Sequence, residues 1–362
     1  MKSSPLSKEK NQRVLVGMSG GVDSSVAALL LCAAGYEVAG ITMRLKPRAL
    51  LTDAQAAAME REVADAAAVC AKLGIPHFAP DFSETFSAQV IDAFVESYKH
   101  GETPNPCFRC NQRIKFGVLL DWALAHGFDK IATGHYAEIV EENGRTLLKR
   151  AQDRKDQSYF LSGLTPAQLS RTLLPLNRMG KAEARALAQE HGLPVAQKPD
   201  SQEICFVPDN DYAAFLEKFG GDLPGEGDFI APDGTVLGRH KGIYRYTVGQ
   251  RKGLGIALGA PRFVTEIDAA RNTVTLGCDA DRYTSLVRLR ELNWIAVDAV
   301  EQPLWVEAKI RYAAQADRAW LTPTGGGTAQ LQFETPQRAV TPGQVAALYQ
   351  GDYVLGSGII TR

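Results

Sequence analysis

The chain has 362 residues, 45% of them hydrophobic and 22% charged, with a formal net charge of −1 and a pI near 6.6. This is the composition of an ordinary soluble protein with room for two or three domains. It excludes a globally basic polyanion binder, so nucleic acid would have to be met by local patches. Residues 1–12 are polar, do not read as a signal peptide and are expected to be disordered, and the apolar run Val26–Ala34 is too short to cross a bilayer. Six cysteines without a secretory signal point to the cytosol. Paired cysteines there are more often catalytic or metal-binding than structural.

The first elements are the most informative. Val14–Val16 reads as a buried strand and runs into Gly17, Met18, Ser19, Gly20 and Gly21. Val22, Asp23 and Ser24 then open an Ala/Leu-rich helix, Asp23–Ala34. Strand, glycine loop and helix N-terminus together make an anion site, because backbone N–H groups and the helix dipole converge there. The loop lacks the Gly-Lys-Ser/Thr of a Walker A motif. SGGVDS instead resembles the PP-loop of ATP pyrophosphatases, which implies cleavage of ATP to AMP and pyrophosphate.

The alternation continues with a strand at Tyr36–Met43, a long helix at Thr52–Leu73 ending at Gly74, a short strand at Pro76–Ala79 and a helix at Glu84–Tyr98. A helix at Phe116–His126, a strand at Lys130–Thr133 with His135-Tyr136, and a helix at Arg178–His191 follow. This rhythm predicts a doubly wound parallel α/β sheet with its ligand at the carboxyl ends of the strands. Past residue 208 the texture changes to Gly-rich turns, and 236–280 reads as a small β or α+β unit. From about 285 short alternating runs predict a small antiparallel barrel. The expected division is a PP-loop domain at 13–207, a central domain at 208–282 and a barrel at 283–362.

Cys107 and Cys110 sit in TPNPCFRCNQRIKF, where two prolines predict a shaped loop, and where Arg109, Arg113 and Lys115 would favour a thiolate. On its own a C-x2-C pair also suits half a zinc site or a redox disulfide, but no second metal-binding pair exists for zinc. Cys205, in KPDSQEICFV, reads equally as a buried strand cysteine. Cys32 and Cys70, in apolar helices, and Cys278 read as structural, and the isolated His77, His100, His126 and His191 receive no role. Residues 239–262 hold six Lys/Arg and no acid, with Tyr244 and Tyr246 between them, which predicts a phosphate-binding surface with stacking partners.

SGGVDS, TPNPCFRCNQRIKF, ATGHYA, KDQSYFL, KPDSQEICFV, YTVGQRKGLGI, KIRYAAQ and TPGQVAALY occur in an order that resembles the tRNA-specific 2-thiouridylase family over nearly the whole chain. The resemblance implies a PP-loop domain, a small central domain and a C-terminal β-barrel. It implies ATP-dependent replacement of O2 of the anticodon wobble uridine by sulfur in tRNAs of the Lys, Glu and Gln type. By position, Cys110 matches the nucleophile and Cys205 the persulfide carrier, and the pair would finish as a disulfide. Gly17 to Ser24, Met43 and Gly134 match ATP positions, and Asp23 would help place Mg²⁺. Asn105, Pro106 and Cys107 would face the target base, with His135, Lys155, Asp156, Gln157, Arg311, Tyr312 and Gln344 as further tRNA contacts. Partners would be tRNA and a cysteine desulfurase or sulfur-relay protein, on a monomeric enzyme. Cys107 stands where many family members have Asp. That leaves three roles open for it: acid or base, a disulfide with Cys110, or an iron–sulfur ligand with Cys110 and Cys205. The competing readings are another PP-loop enzyme (a different tRNA thiolase or an adenylating synthetase) and a tRNA-binding protein without catalysis.

Overall fold

A computed structural model describes residues 12–152, 155–198 and 204–362. The expected tail up to Gln12 and the lead-in 199–203 to Cys205 fall outside them, Gln12 itself excepted. The chain forms two compact units, one of residues up to 89 with 109–202 and 352–354, the other of 90–108, 203–351 and 355–362.

The first unit is the parallel α/β layer. β1 (Arg13–Gly17), α1 (Val22–Ala33), β2 (Glu37–Ile41), α2 (Asp53–Leu73) and β3 (His77–Phe78) open it. α2 starts at a capping box in which Gln55 N donates to Thr52 Oγ1 and Thr52 N donates back to Gln55 Oε1. It ends at Gly74, whose φ of +69° suits glycine. α3 (Ser83–Phe86) passes through a π-helical turn, Ser87–Ile91, into α4 (Asp92–Lys99), which belongs to the second unit. α5 (Pro106–Cys110) likewise continues through a π-helix, Asn111–Val118, into α6 (Leu119–Ala125).

β4 (Lys130–Ala132) ends before His135, and that residue and Tyr136 are not in a strand as expected. A hairpin of β5 (Glu138–Glu142) and β6 (Arg145–Lys149) follows, turned by Asn143-Gly144, both with positive φ. That Asn-Gly pair is a hairpin signal readable in the sequence. α7 (Ser158–Leu161), α8 (Pro166–Ser170), β7 (Thr172–Leu173) and α9 (Lys181–Glu190) complete the unit. The sheet order is β3-β2-β1-β4-β7, every pairing parallel. The direction of winding reverses beside β1, so the crevice at the carboxyl ends of β1 and β4 is where a ligand belongs. Val14, Val16, Val26, Leu31, Val69, Ala132 and Leu176 belong to the buried core behind it.

The second unit holds α10 (Tyr212–Phe219) and a four-stranded sheet of β8 (Gly227–Ile230), β9 (Val236–His240), β10 (Phe263–Asp268) and β11 (Thr273–Gly277), in the order β10-β11-β8-β9. The barrel strands are β12 (Tyr283–Trp294), β13 (Leu304–Lys309), β14 (Asp317–Gly325), β15 (Thr328–Arg338), β16 (Val345–Gln350) and β17 (Tyr353–Thr361). They run β12-β15-β14-β13-β16-β17, and β12 pairs with β17 to close the barrel. Closure removes the sheet edges that a small antiparallel sheet would otherwise expose. Inward residues such as Val287, Leu289, Ala319, Leu331 and Leu348 fill it.

Candidate active site

The glycine loop lies at the carboxyl end of β1, and its shape depends on two close approaches. Gly20 has φ +67°, and a Cβ there would meet the Glu62 carbonyl of α2 at 2.6 Å. Only glycine fits both the conformation and the space. Gly21 is the N-cap of α1 but no side chain caps the helix. The first-turn amides therefore face the crevice without a protein acceptor from the cap. Ser24 Oγ accepts from Ser19 N and is hydrogen-bonded to Ser19 Oγ, both at 3.2 Å, while Ser25 Oγ donates to Gly21 O at 2.8 Å. Thr42 Oγ1 donates to Met18 O at 2.9 Å, which brings the end of β2, with half-buried Met43, to the loop. Gly134 closes the other side, where a Cβ would lie 2.6 Å from Asp23 C and from Ser24 N. Gly17, Met18, Ser19, Gly20, Gly21, Val22, Asp23, Ser24, Met43 and Gly134 thus lie together at the carboxyl ends of β1, β2 and β4.

Sequence reasoning missed Lys181. Its Nζ donates to both Asp23 carboxylate oxygens at 2.8 Å, and Tyr136 Oη donates to Asp23 Oδ1 at 2.7 Å. The lysine is the first residue of α9 and only 16% exposed. The ion pair fixes an ammonium beside the first turn of α1, where one of its N–H groups could turn to a bound phosphate. No local motif points to it.

His135 was expected to touch tRNA. Its Nδ1 shares a 2.8 Å hydrogen bond with Thr133 Oγ1, its ring leans on Phe116, and burial followed by the charge of Lys115 pushes its pKa down from 6.5 to about 3. The folded state therefore holds the imidazole neutral where the unfolded chain would protonate it. Between pH 6.5 and about 3 the unfolded state binds more protons, so stability falls on acidification. Its contribution should decline by up to about 1.4 kcal/mol per pH unit in that window. Urea unfolding of wild type and His135→Gln at pH 7 and pH 5 checks this. Equal losses in both proteins would remove His135 as the cause.

The segment carrying Cys107 and Cys110 is helical, not the loop expected. Pro106 occupies the first helical turn, where its missing N–H is tolerated, and Asn105 Oδ1 caps the helix by accepting from Phe108 N at 3.1 Å. Beyond Cys110 the helix widens into its π segment. Gln168 Nε2 donates there to the carbonyls of Gln112 and Phe116, and Asn111 Nδ2 donates to Phe160 O. Cys107 is exposed and Cys110 buried, while Cys205 is exposed. Cys110 falls in the first unit, and Cys107 and Cys205 in the second. Among the described residues no group of three or more His, Cys, Asp or Glu is gathered so as to hold a metal ion. Cys32 and Cys70 are core thiols, raised by burial, Cys70 to about 11.

Several expected tRNA contacts are occupied within the fold. Asp156 accepts from Ala151 N and Ser158 N, and Gln157 Oε1 accepts from Tyr136 N. Gln344 Nε2 donates to Thr103 O at 2.9 Å and Pro104 O at 3.3 Å. Lys155, Arg311 and Tyr312 are exposed, with Lys309 over the Tyr312 ring. The stacking role expected for Tyr244 and Tyr246 is overturned. They are 7% and 5% exposed, Tyr244 Oη donates to Glu217, and Tyr246 packs on Phe229 and His240. Arg239 and Arg245 pair with Asp228 and Glu217, so Lys241, Arg251 and Lys252 carry the exposed charge of that stretch.

Comparison with known proteins places this geometry. Family models described as the tRNA methyl transferase HUP domain, the tRNA methyl transferase PRC-barrel domain and the aminomethyltransferase β-barrel domain match residues 12–209, 213–278 and 284–360. A tRNA-specific 2-thiouridylase MnmA of Acidithiobacillus ferrooxidans is 47% identical, covering 97% of this chain and 98% of the relative. One of Acetivibrio thermocellus is 48% identical over 96% and 99%. Among solved structures, a 4-thiouridine synthetase–RNA complex with bound ATP covers 57% of this chain and 50% of its own at 16% identity and TM-score 0.32, too low to bear on function. No helix among the described residues is long and apolar enough to cross a membrane. With relatives this similar along almost the full length of both chains, the protein belongs to the tRNA-specific 2-thiouridylase family.

Proposed function

We propose that this chain is an ATP-dependent tRNA 2-thiouridylase that exchanges O2 of the wobble uridine for sulfur in tRNAs of the Lys, Glu and Gln type. The observation that carries the reading is its near-full-length similarity to relatives named for that activity. A PP-loop crevice built around Gly20 and Gly134 supports the ATP-binding part of it. The domains divide the work: 13–207 activates and transfers, while 208–282 and 283–362 hold the RNA.

The uracil C2 carbonyl is a poor electrophile, so its oxygen must first become a leaving group. Uridine O2 attacks the α-phosphorus of ATP, pyrophosphate leaves, and the glycine loop and first-turn amides of α1 stabilise the phosphate charge. Lys181, oriented by Asp23, adds to that stabilisation. Mg²⁺ would ride on the nucleotide phosphates beside Asp23, whose carboxylate also accepts from Lys181. A base under attack at C2 must leave its stack, and Asn105, Pro106 and Cys107 are proposed to receive it.

The terminal sulfur of a Cys205 persulfide, supplied by a cysteine desulfurase or relay protein, attacks C2 and AMP leaves. Cys110 thiolate then attacks Cys205 Sγ, releasing the thiocarbonyl and closing a Cys110–Cys205 disulfide. A dithiol reductant returns both thiols. An iron–sulfur cluster held by Cys107, Cys110 and Cys205 is the competing sulfur carrier, and iron reconstitution separates it from the persulfide route.

The test is nucleoside mass spectrometry of unmodified tRNA after incubation with enzyme, Mg-ATP and a persulfide-generating desulfurase, run aerobically and after anaerobic iron reconstitution. Oxygen-to-sulfur exchange at the wobble uridine, with one pyrophosphate per thiolation, supports the reading. Pyrophosphate release without thiolation would leave only an adenylating PP-loop enzyme. Thiolation confined to the iron-loaded protein would replace the persulfide step.

A further inference from the structure

Residues 101–104, immediately before the Asn105 cap, are gripped on every side within the second unit. Arg290 of β12 forks onto Glu102, with Nη1 donating to Oε1 at 2.7 Å and Nη2 to Oε2 at 2.8 Å. Glu102 is only 16% exposed, and its contact raises the Arg290 pKa further. Thr103 N donates to Pro342 O at 2.9 Å, and Thr103 Oγ1 donates to Thr247 Oγ1 at 3.1 Å. Gln344 supplies both of its donors to the carbonyls of Thr103 and Pro104. Gly343 has φ +90°, and a Cβ there would lie 3.0 Å from Thr103 N and Thr103 C. A four-residue connection does not ordinarily need a bidentate ion pair and three backbone clasps from a barrel far along the chain.

We infer that Glu102, Arg290 and Gln344 are positioning residues, through which the C-terminal barrel sets the target-base loop and the start of the helix that bears Cys107 and Cys110. The inference rests on the proposed function, and it gives Gln344 a loop-holding role that the expected RNA contact did not include. The physical reason is rigidity. Asn105 caps α5 only if residues 103–104 arrive in one direction, and misplacement of a reacting group by about 1 Å can reduce rate by about 100-fold. The planar guanidinium fork fixes direction as well as distance. A barrel that engages RNA and also holds the loop couples docking to alignment of the nucleophile.

The test compares Glu102→Gln, Gln344→Ala and the charge exchange Glu102→Arg with Arg290→Glu. For the first two, kcat for thiolation should fall about 10-fold while the KM for tRNA stays within about 2-fold, the sign of lost alignment rather than lost binding. The exchange should recover at least part of the rate. Alkylation read cysteine by cysteine should show buried Cys110 reacting about 5-fold faster in Glu102→Gln, with Cys278 unchanged as internal reference. A raised KM at unchanged kcat would return Gln344 to RNA contact and overturn the inference. Equal exposure of all cysteines with a lowered melting temperature would reduce the clasp to plain stability. A wild type that does not thiolate tRNA sinks the underlying function, whereas a wild type that thiolates beside unaltered variants sinks the clasp alone.

Discussion

Cys110→Ser is expected to abolish sulfur incorporation, by on the order of 10⁴-fold or more, while pyrophosphate release and tRNA binding persist. Serine matches the cysteine in shape, so the buried position on α5 is kept filled. Its hydroxyl is far less acidic and far less able to attack a sulfur–sulfur bond. If Cys110 resolves the persulfide bond, its loss should trap sulfur as a Cys205–S–S–C2 adduct of protein and tRNA. That adduct should appear in single-turnover reactions without external thiol and should dissolve on adding dithiothreitol. Cys205→Ser should lose thiolation without any adduct, and the double variant should be no slower than either single one, because the two cysteines act as one unit. Cys32→Ser and Cys70→Ala should thiolate normally, since both thiols lie in the core with raised pKa. Adduct formation in Cys205→Ser would assign the carrier wrongly. Loss of activity in Cys107→Ser equal to that in Cys110→Ser would mean that the exposed cysteine of α5 is the nucleophile.

Gly134→Ala is expected to raise the ATP concentration for half-maximal pyrophosphate release about 100-fold with a comparatively small loss of stability. The added methyl would sit 2.6 Å from Asp23 C and Ser24 N. Both are backbone atoms, so no rotamer change relieves the contact, and the first turn of α1 must move. That turn carries the amides proposed to hold phosphate, and it carries Asp23, whose carboxylate orients Lys181. Gly134 has no positive φ, so the backbone itself tolerates alanine, and the effect comes from the contact alone. Gly225→Ala is the control, since nothing lies within 4 Å of a Cβ there. Titration of pyrophosphate release against ATP for the three proteins decides the matter. An unchanged ATP requirement in Gly134→Ala would show that the loop yields or that the nucleotide binds elsewhere.

The elements that the sequence marked well are those governed by short-range rules. The run Val14–Val16 into SGGVDS, the helix from Thr52 to its stop at Gly74 and the alternating strands of the barrel each follow from neighbours within about four residues. Where local rules compete, the pattern misleads: two prolines argue for a loop around Cys107, yet Asn105 in front of Pro106 makes it a helix start. The missed hairpin was equally local, written in Asn143-Gly144.

Local patterning laid out the parallel α/β layer, the glycine loop and the barrel. Which distant groups meet was settled by packing. Lys181 reaches Asp23 across 158 residues, and Gln344 reaches Thr103 across 241. Tyr244 and Tyr246 turn inward among Phe229, His240 and Glu217, although their spacing among basic residues looked like a surface. Periodicity and capping report the conformation of a segment, since they rest on bonds between near neighbours. Partners far along the chain are selected by strand order and barrel closure, which depend on burying every apolar face at once.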